Sequence, residues 1–406
     1  MGTDAGRCRI AVVSPFVDKR HGTERCVAEQ VERLAENYEI HLFSSRVEDI
    51  SPSHFVWHRV PEIPGPHLVK YMWWFVANHA WRWAECVRSG GKFRVVFSPG
   101  INCFDANVIL IHHVFADQRG RLRERLRFRS HPLRQWPRLV HRRLFYGLIG
   151  LLEGVVYRRR QTALSAISRS VAADVERRFR PGEAVATIYH GVDCVAFNPD
   201  ARQGRRKQAR QKFGYREEDF IVLLIGNDWE KKGLFCLIAS LAKISDLRIS
   251  ALIAGKDSPE RYADQARRLG IGHRLRFAGV SPDVLQFYAA ADVCAAPSVY
   301  DPFGLPVLEA MACGMPVIAS KAMGASELVA DGENGLILED PQDAAALSRL
   351  IRRLYDEGEL RHRLGTAAAA AARHFTWEAN AAAVAQQFER VLKPSGRSEE
   401  VAARKA

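Results

Sequence analysis

The sequence predicts an α/β protein with two domains, each built on a parallel sheet. Short apolar segments alternate with segments of helical apolar spacing along the 406 residues. This length suits two cores of ordinary domain size. The composition, 47% hydrophobic and 26% charged, is typical of globular proteins. The nearest approach to a transmembrane run, residues 144–157, is shorter than the ~18 apolar residues required and contains Glu153.

In the first half, a strand–loop–helix unit at the N-terminus and a later strand carry the candidate ligand-binding residues. Gly22 lies at the start of the first helix, where glycine lets the backbone approach a ligand closely. The strand at 107–111 ends at His112 and His113. Because α/β sheets bind ligands at the carboxyl ends of their strands, His112 and His113 are both candidate functional residues. Strands are predicted at 9–15, 38–44, 55–60, 93–98, 106–112 and 162–167.

Two segments of the first half have an unusual composition. Residues 68–83 contain six aromatic side chains, which fit either a core helix or a membrane-interface surface. Residues 119–160 contain thirteen arginines and two acids, a large part of the net charge of +13. Such a segment fits a solvated basic surface, an anionic membrane surface or nucleic acid, and these alternatives stay open.

The second half begins with a buried strand at 219–226, followed by a loop that ends in two lysines and a glycine. Asn227 is at the start of this loop, and Lys231 and Lys232 precede Gly233 and a helix at 234–244. Two ammonium groups beside a helix N-terminus can share the negative charge of a diphosphate. The loop therefore predicts a diphosphate-binding site.

The segment 298–317 carries two acids around a turn, between apolar strands at 292–297 and 316–320. Asp301 lies in the loop, and Glu309 lies eight residues later in the helix that follows. The backbone N–H groups of Phe303, Gly304 and Leu305 lie at the start of this helix, where N–H donors have no intrahelical partner. The segment thus offers donors and carboxylates to a polyhydroxylated or anionic ligand.

This acid-x7-acid segment and the lysine-containing loop resemble the retaining glycosyltransferases of the GT-B fold, family 4 (glycosyl transferases group 1). The resemblance implies two Rossmann-like domains facing a central cleft. It implies an acceptor domain at 1–192, a nucleotide-sugar domain at 193–376 and a helix at 377–394 that crosses back onto the first domain. The polar tail at 395–406 is expected to be disordered.

The resemblance also implies roles for individual residues. Asp301, where the family usually has Glu, would contact the transferred sugar, and Glu309 would hold the ribose. Backbone groups near Val280 would contact the nucleobase. Gly22 falls in the segment that resembles the family's Gly-Gly-Ala-Glu-Arg, and His113 aligns with a histidine near the donor sugar. In the loop at 227–233, Asn227 replaces the family's arginine, and Lys231 is expected to do its work beside Lys232.

The expected activity is retaining transfer of a sugar from a UDP- or GDP-sugar to a hydroxyl of a glycan or lipid-linked acceptor. The expected setting is lipopolysaccharide or polysaccharide biosynthesis, in the cytoplasm or at the inner face of an anionic membrane. No metal or cofactor is expected, since the sequence has no Asp-x-Asp motif and its eight scattered cysteines have no zinc-site spacing.

One alternative is an inactive nucleotide-sugar-binding subunit. The other is a nucleic-acid binder that uses residues 119–160, although no nucleic-acid-binding motif accompanies them and nucleic acid is not an expected partner.

Overall fold

The computed structural model describes residues 7–116, 134, 136–246 and 248–393. The chain forms two compact units, one made of residues 1–189 and 378–406 and the other of residues 190–377. Each unit contains one large parallel sheet, which confirms the predicted fold class. The expected disordered tail at 395–406 and residues 119–133 and 135 of the arginine-rich segment lie outside the described residues.

The first unit is built on a seven-stranded sheet with the order β5-β3-β1-β6-β7-β8-β9, in which every pairing is parallel. A separate parallel pair, β2 with β4, extends one end of this sheet. The strands are β1 (Arg9–Val13), β2 (Phe16–Val17), β3 (Glu39–Ser44), β4 (Arg46–Val47), β5 (Val56–Arg59), β6 (Val95–Pro99), β7 (Val108–Ile111), β8 (Ala163–Ala166) and β9 (Ala186–Thr187). The helices before the second unit are α1 (Gly22–Leu34), α2 (His67–Ser89), α3 (Trp136–Val156) and α4 (Arg169–Phe179).

The second unit is built on a six-stranded parallel sheet with the order β12-β11-β10-β13-β14-β15. Apart from the edge strand β12, its strands consist almost entirely of buried apolar residues, as is usual when helices cover both faces of a sheet. The strands are β10 (Phe220–Ile225), β11 (Ile249–Ala254), β12 (Leu275–Gly279), β13 (Val293–Ala296), β14 (Val317–Ser320) and β15 (Leu336–Leu338). The helices are α5 (Pro199–Phe213), α6 (Leu234–Ala242), α7 (Glu260–Arg268), α8 (Leu285–Ala290), α9 (Leu305–Ala312), α10 (Ala344–Asp356) and α11 (Gly358–Ala372).

The C-terminal helix, α12 (Trp377–Leu392), belongs to the first unit from its second residue onward. The Gln30 side-chain amide donates a 2.8 Å hydrogen bond to the buried Asn380 side chain. The Phe388 ring packs edge-on against Tyr38 and Phe97, with centroids 5.6 Å apart in both pairs. The helix therefore returns to the first unit, as the resemblance implies.

Helix α2 has one buried and one exposed face. Trp74 and Phe75 are buried in the core, whereas Trp83 is 71% exposed. The core alternative therefore holds for Trp74 and Phe75, and Trp83 lies on the exposed face of the helix. No helix among the described residues is both long enough and apolar enough to cross a membrane.

The buried face of α2 is also tied to the loop before β7 by a charge pair. Arg82 donates two hydrogen bonds, of 2.6 and 2.7 Å, to the two carboxylate oxygens of Asp105. Burial opposes ionisation of Asp105, but hydrogen bonds from His79 and Arg82 outweigh it and hold the pKa of this carboxyl below its usual range. This pair fixes α2 against the sheet.

Candidate active site

The candidate site is built around an ion pair between Lys232 and Asp301 in the second unit. The Lys232 Nζ lies 2.5 Å from the Asp301 Oδ2, and the two side chains are 20% and 13% exposed. Lys232 lies in the loop after β10, and Asp301 lies in the loop after β13, the neighbouring strand in the sheet. The fold thus brings together, at the carboxyl ends of two adjacent strands, two residues that are 69 positions apart.

Glycines at the ends of these loops leave room for the ion pair. Gly226 has a φ of +135°, and a Cβ there would lie 2.9 Å from the Lys232 Cε. Gly304 has a φ of +96°, and a Cβ there would lie 3.3 Å from the Asp301 Oδ2. Gly233, at a φ of +77°, packs closely on Pro297, and a Cβ on this glycine would lie 1.9 Å from the Pro297 carbonyl oxygen. Side chains at these positions would displace the loops that carry the charged pair.

Around Asp301, the turn before α9 supplies further polar groups. The Phe303 N–H donates to the Asp301 Oδ1 at 3.3 Å, so this predicted ligand donor is engaged by the acid itself. Helix α9 begins at Leu305, directly after the turn. The buried Ser298 hydroxyl has no hydrogen-bond partner among the described residues, and it lines a cavity of about 10 Å³ together with Lys232 and Gly304. An unsatisfied buried hydroxyl beside a charged pair is a position that a ligand group or a water molecule would occupy.

The second acid, Glu309, lies in α9 and is 4% exposed. The Tyr288 hydroxyl donates a 2.6 Å hydrogen bond to the Glu309 Oε2. Burial, together with the charge of Glu309, raises the pKa of Tyr288 well above its usual value, so the phenol stays a neutral donor. Burial also raises the pKa of the Cys294 thiol to about 12. The charge of Lys232 acts to lower this pKa, and the charge of Glu309 acts to raise it. Lys232 lines the same cavity as Pro306 and Val307, which belong to the helix that carries Glu309.

The remaining second-unit candidates are more peripheral. The Lys231 Nζ pairs with the Asp228 Oδ2 at 2.5 Å, and both side chains are about half exposed. The exposed Asn227 accepts a 3.1 Å hydrogen bond from the Lys256 backbone N–H. Val280 is 69% exposed and follows β12. The two lysines therefore contact different acids rather than meeting at one acceptor.

Two candidates belong to the first unit. Gly22 is exposed and is the first residue of α1, and a Cβ there would meet nothing within 4 Å. His113 is half-buried just beyond β7, and its ring lies 4.1 Å from that of Phe115. His112, its neighbour, is buried.

Sequence reasoning missed three residues that shape the site: Gly226, Tyr288 and Ser298. A glycine directly after the apolar β10 was a usable signal, because strand-end glycines commonly mark a close approach of backbone to a ligand or side chain. For Tyr288 and Ser298 the sequence contains no such signal, since their roles depend on contacts with α9 and with the cavity.

Known proteins resemble this chain in sequence, mainly over its second half. Residues 205–371 match the family model of glycosyl transferases group 1. The curated relatives include the D-inositol 3-phosphate glycosyltransferase of Corynebacterium diphtheriae, 32% identical over 52% of this chain and 50% of its own length. Another is the putative glycosyltransferase EpsD of Bacillus subtilis, 34% identical over 46% of this chain and 49% of its own length. The chain spans about half the length of the curated relatives it matches.

Solved structures resemble the chain over nearly its full length. The lipopolysaccharide-biosynthesis glycosyltransferase WaaG superposes with a TM-score of 0.72 at 20% identity, covering 92% of this chain and 98% of WaaG. Sucrose-phosphate synthase of Thermosynechococcus elongatus gives a TM-score of 0.74 at 21% identity, covering 95% of this chain and 99% of the synthase. Anabaena HepE, solved in complex with UDP-glucose, gives 0.67 at 20% identity, covering 95% and 99%. The chain therefore shares the GT-B fold of these glycosyltransferases, and its residues 205–371 are similar to the glycosyl transferases group 1 domain.

Proposed function

We propose that the protein transfers a sugar from a nucleotide-sugar donor to a hydroxyl of a glycan or lipid-linked acceptor, with retention of anomeric configuration and without a metal ion. The observation that carries this proposal is the contact between Lys232 and Asp301 at adjacent strand ends, beside the start of α9. The UDP-glucose bound to HepE supports a UDP-sugar as one donor to test first. Cell-envelope or exopolysaccharide synthesis is the proposed setting.

In this proposal, the donor diphosphate exchanges places with Asp301 on the Lys232 ammonium. The bond between the sugar and the diphosphate breaks, the sugar bonds to the acceptor oxygen, and the diphosphate takes the acceptor proton. Lys232 stabilises the charge that develops on the diphosphate, a preorganised electrostatic role. Asp301, released from the lysine, then accepts a hydrogen bond from a sugar hydroxyl.

The other second-unit residues are assigned supporting roles. Glu309, oriented by Tyr288, accepts from the ribose hydroxyls. Lys231 provides a second positive charge once it leaves Asp228, and its half-exposed position implies a smaller contribution than that of Lys232. Lysine donates as a point charge where the family's arginine would offer a planar fork, so the diphosphate is held by charge more than by geometry.

A surface of the first unit supports binding to an anionic membrane, where lipid-linked acceptors would be found. Helices α2 and α3 pack together, with the rings of His67 and Phe145 4.6 Å apart. Their exposed residues include Trp83 on α2 and Leu151 on α3, which are 71% and 64% exposed. The exposed arginines of α3 are Arg138, Arg142 and Arg143. Apolar side chains interspersed with arginines are typical of surfaces that lie in the membrane interface.

A vesicle-binding assay tests the membrane proposal separately from catalysis. The protein should sediment with vesicles of anionic phosphatidylglycerol and not with neutral phosphatidylcholine vesicles. Replacing Arg142 with glutamine should weaken binding about fivefold, since one basic residue near such a surface contributes about 1 kcal/mol. Equal binding to both vesicle types would contradict the role of the arginines, and no binding to the anionic vesicles would remove the membrane from the proposal.

A donor screen tests the proposed activity. UDP-, GDP- and ADP-sugars are compared for thermal stabilisation of the protein, and the stabilising donors are then assayed for hydrolysis and transfer with and without a chelator. Lys232→Ala should lower turnover by ~10² or more, the scale of losing one preorganised donor. Lys243→Ala, a charge-matched change at an exposed position after α6, should leave turnover unchanged.

The outcomes separate the alternatives. Wild-type turnover in Lys232→Ala would remove the diphosphate role. Nucleotide-sugar binding without hydrolysis or transfer for any donor would favour the inactive binding subunit. Loss of activity on chelation would contradict metal independence, and a product of inverted configuration in the NMR spectrum would contradict retention.

A further inference from the structure

Two histidines and a glutamate meet on one face of the first-unit sheet, away from the strand ends that carry the candidate ligand-binding residues. Strand β3 pairs with the edge strand β5 in a register that sets Phe43 opposite His58, so His41 and His58 lie on the same face. The His41 Nδ1 and His58 Nε2 are 2.9 Å apart, and the rings stack at 13° with centroids 5.1 Å apart. Glu85 reaches the pair from α2, and one donor atom from each of the three residues lies within 4.8 Å of the others.

The Nε2 of His41 faces both a carboxylate and a guanidinium. It lies 2.7 Å from the Glu39 Oε1, and the Arg9 Nε lies 3.3 Å from the same nitrogen. The shorter carboxylate contact favours the tautomer with the proton on Nε2, and in that tautomer the Nδ1 has a lone pair on the side of His58. In metal sites, one ring nitrogen of a histidine binds the ion while the other donates a hydrogen bond, often to a carboxylate, and this bond orients the ring. The His41–Glu39 contact therefore has the form of a preorganised metal ligand.

We propose that His41, His58 and Glu85 form a binding site for a divalent transition-metal ion of the zinc class. Two imidazoles and a carboxylate are a ligand set that Zn²⁺ accepts in proteins, with a further position left for water. All three side chains are largely buried, with side-chain exposures of 4%, 11% and 7%. The site is independent of the proposed sugar transfer, because none of its ligands belongs to the second unit or to the candidate donor-binding residues.

Two arginines contact Glu85 and compete with the ion unequally. Arg88 lies 2.5 Å from the Glu85 Oε2, but its side chain is 75% exposed and can turn into solvent. Arg9 contacts the other oxygen, Oε1, at 3.2 Å and is also held by the Ser89 hydroxyl at 2.8 Å. An incoming ion would therefore displace Arg88 from Oε2 and leave Arg9 in place. The bound ion would join the edge strand β5 to β3 and to α2.

Titration of the tag-free, metal-stripped full chain with Zn²⁺ by calorimetry, and with Co²⁺ by visible spectroscopy, tests the proposal. We expect one ion per chain, a rise in melting temperature on adding Zn²⁺, and Co²⁺ bands of a nitrogen–oxygen site. His58→Gln and Glu85→Gln should each weaken Zn²⁺ binding by more than tenfold. Glu39→Gln should weaken it ~10-fold, as is typical when a residue that hydrogen-bonds to a metal-ligating histidine is replaced. His79→Gln, a histidine of α2 that pairs with Asp105 instead, should bind as the wild type does.

Arg88→Ala provides a variant that should gain affinity, because it removes the competing cation, whose side chain is 75% exposed. Tighter Zn²⁺ binding in Arg88→Ala supports the site even where a ligand variant folds poorly. The absence of binding by wild type and Arg88→Ala, or unchanged binding in a folded His58→Gln, would overturn the proposal. A thiolate-to-cobalt charge-transfer band would also overturn it, since that band would locate the ion at cysteines.

Discussion

Replacing Lys232 with methionine separates a catalytic role of the ammonium group from a structural one. Methionine keeps much of the side-chain length and removes the charge, so Asp301, 13% exposed, loses its ion-pair partner. Breaking a largely buried pair by removing one member costs about 3 kcal/mol of folding free energy, because a charge is left without compensation. Losing one preorganised donor to the leaving diphosphate costs turnover ~10²-fold, about 2.7 kcal/mol of transition-state stabilisation. The single variant should therefore lose both stability and turnover.

The double variant Lys232→Met/Asp301→Asn distinguishes the two losses. With neither charge present, most of the lost stability should return, because no ion remains buried. Turnover should stay at or below the level of the single variant, since the donor to the diphosphate is still missing. The two quantities are measured as the free energy of unfolding in urea and as the turnover number with the best donor. If turnover recovered together with stability, the lysine would serve only to neutralise Asp301, and the reasoning would be refuted.

Three further predictions concern the site and its scaffold. Gly304→Ala should lose about 1–2 kcal/mol of stability, because a side chain at a φ of +96° costs about that much, and it should lower turnover. Unchanged stability would contradict the assigned backbone conformation. Tyr288→Phe leaves the buried Glu309 carboxylate without this hydroxyl, so it should cost about 1–3 kcal/mol of folding stability and raise the KM for the donor. An unchanged KM would indicate that Glu309 does not bind the ribose. The lowered pKa of Asp105 means that its ionised form stabilises the fold above about pH 4 and that this contribution is lost as the pH falls. The gap in melting temperature between wild type and Asp105→Asn should therefore narrow below pH ~4, and a constant gap would contradict the charge pair.

The alternation of apolar and amphipathic segments was sufficient to predict two parallel-sheet units, because both periodicities are local properties of the chain. The order of the strands was not predictable in this way. Adjacent strands such as β10 and β13 are separated by β11 and β12 in the sequence, and their pairing depends on packing across the whole unit. This pairing of β10 with β13 brings Lys232 and Asp301 together.

At the site, sequence reasoning selected the two lysines as a pair but could not separate them. Consecutive side chains in a turn point in different directions, so Lys231 contacts Asp228 while Lys232 reaches Asp301. The neighbouring glycine conformations and the Tyr288–Glu309 contact are likewise tertiary properties.

The histidine cluster of the first unit was missed for the same reason. His41 and His58 are seventeen residues apart, and only the register of β3 with β5 places them together. A search for metal-ligand spacing along the sequence does not find such a set, because its members come from two strands and a helix.

Lys232 is proposed to hold the diphosphate of the donor. Calorimetry can test this role by comparing the affinities of UDP and UMP, or GDP and GMP, for wild type and Lys232→Met. A hydrogen bond to a charged group contributes about 1.5–3 kcal/mol, so wild type should prefer the diphosphate by ~10-fold or more. The variant should bind the diphosphate and the monophosphate about equally. A diphosphate preference of the same size in Lys232→Met would contradict the claim.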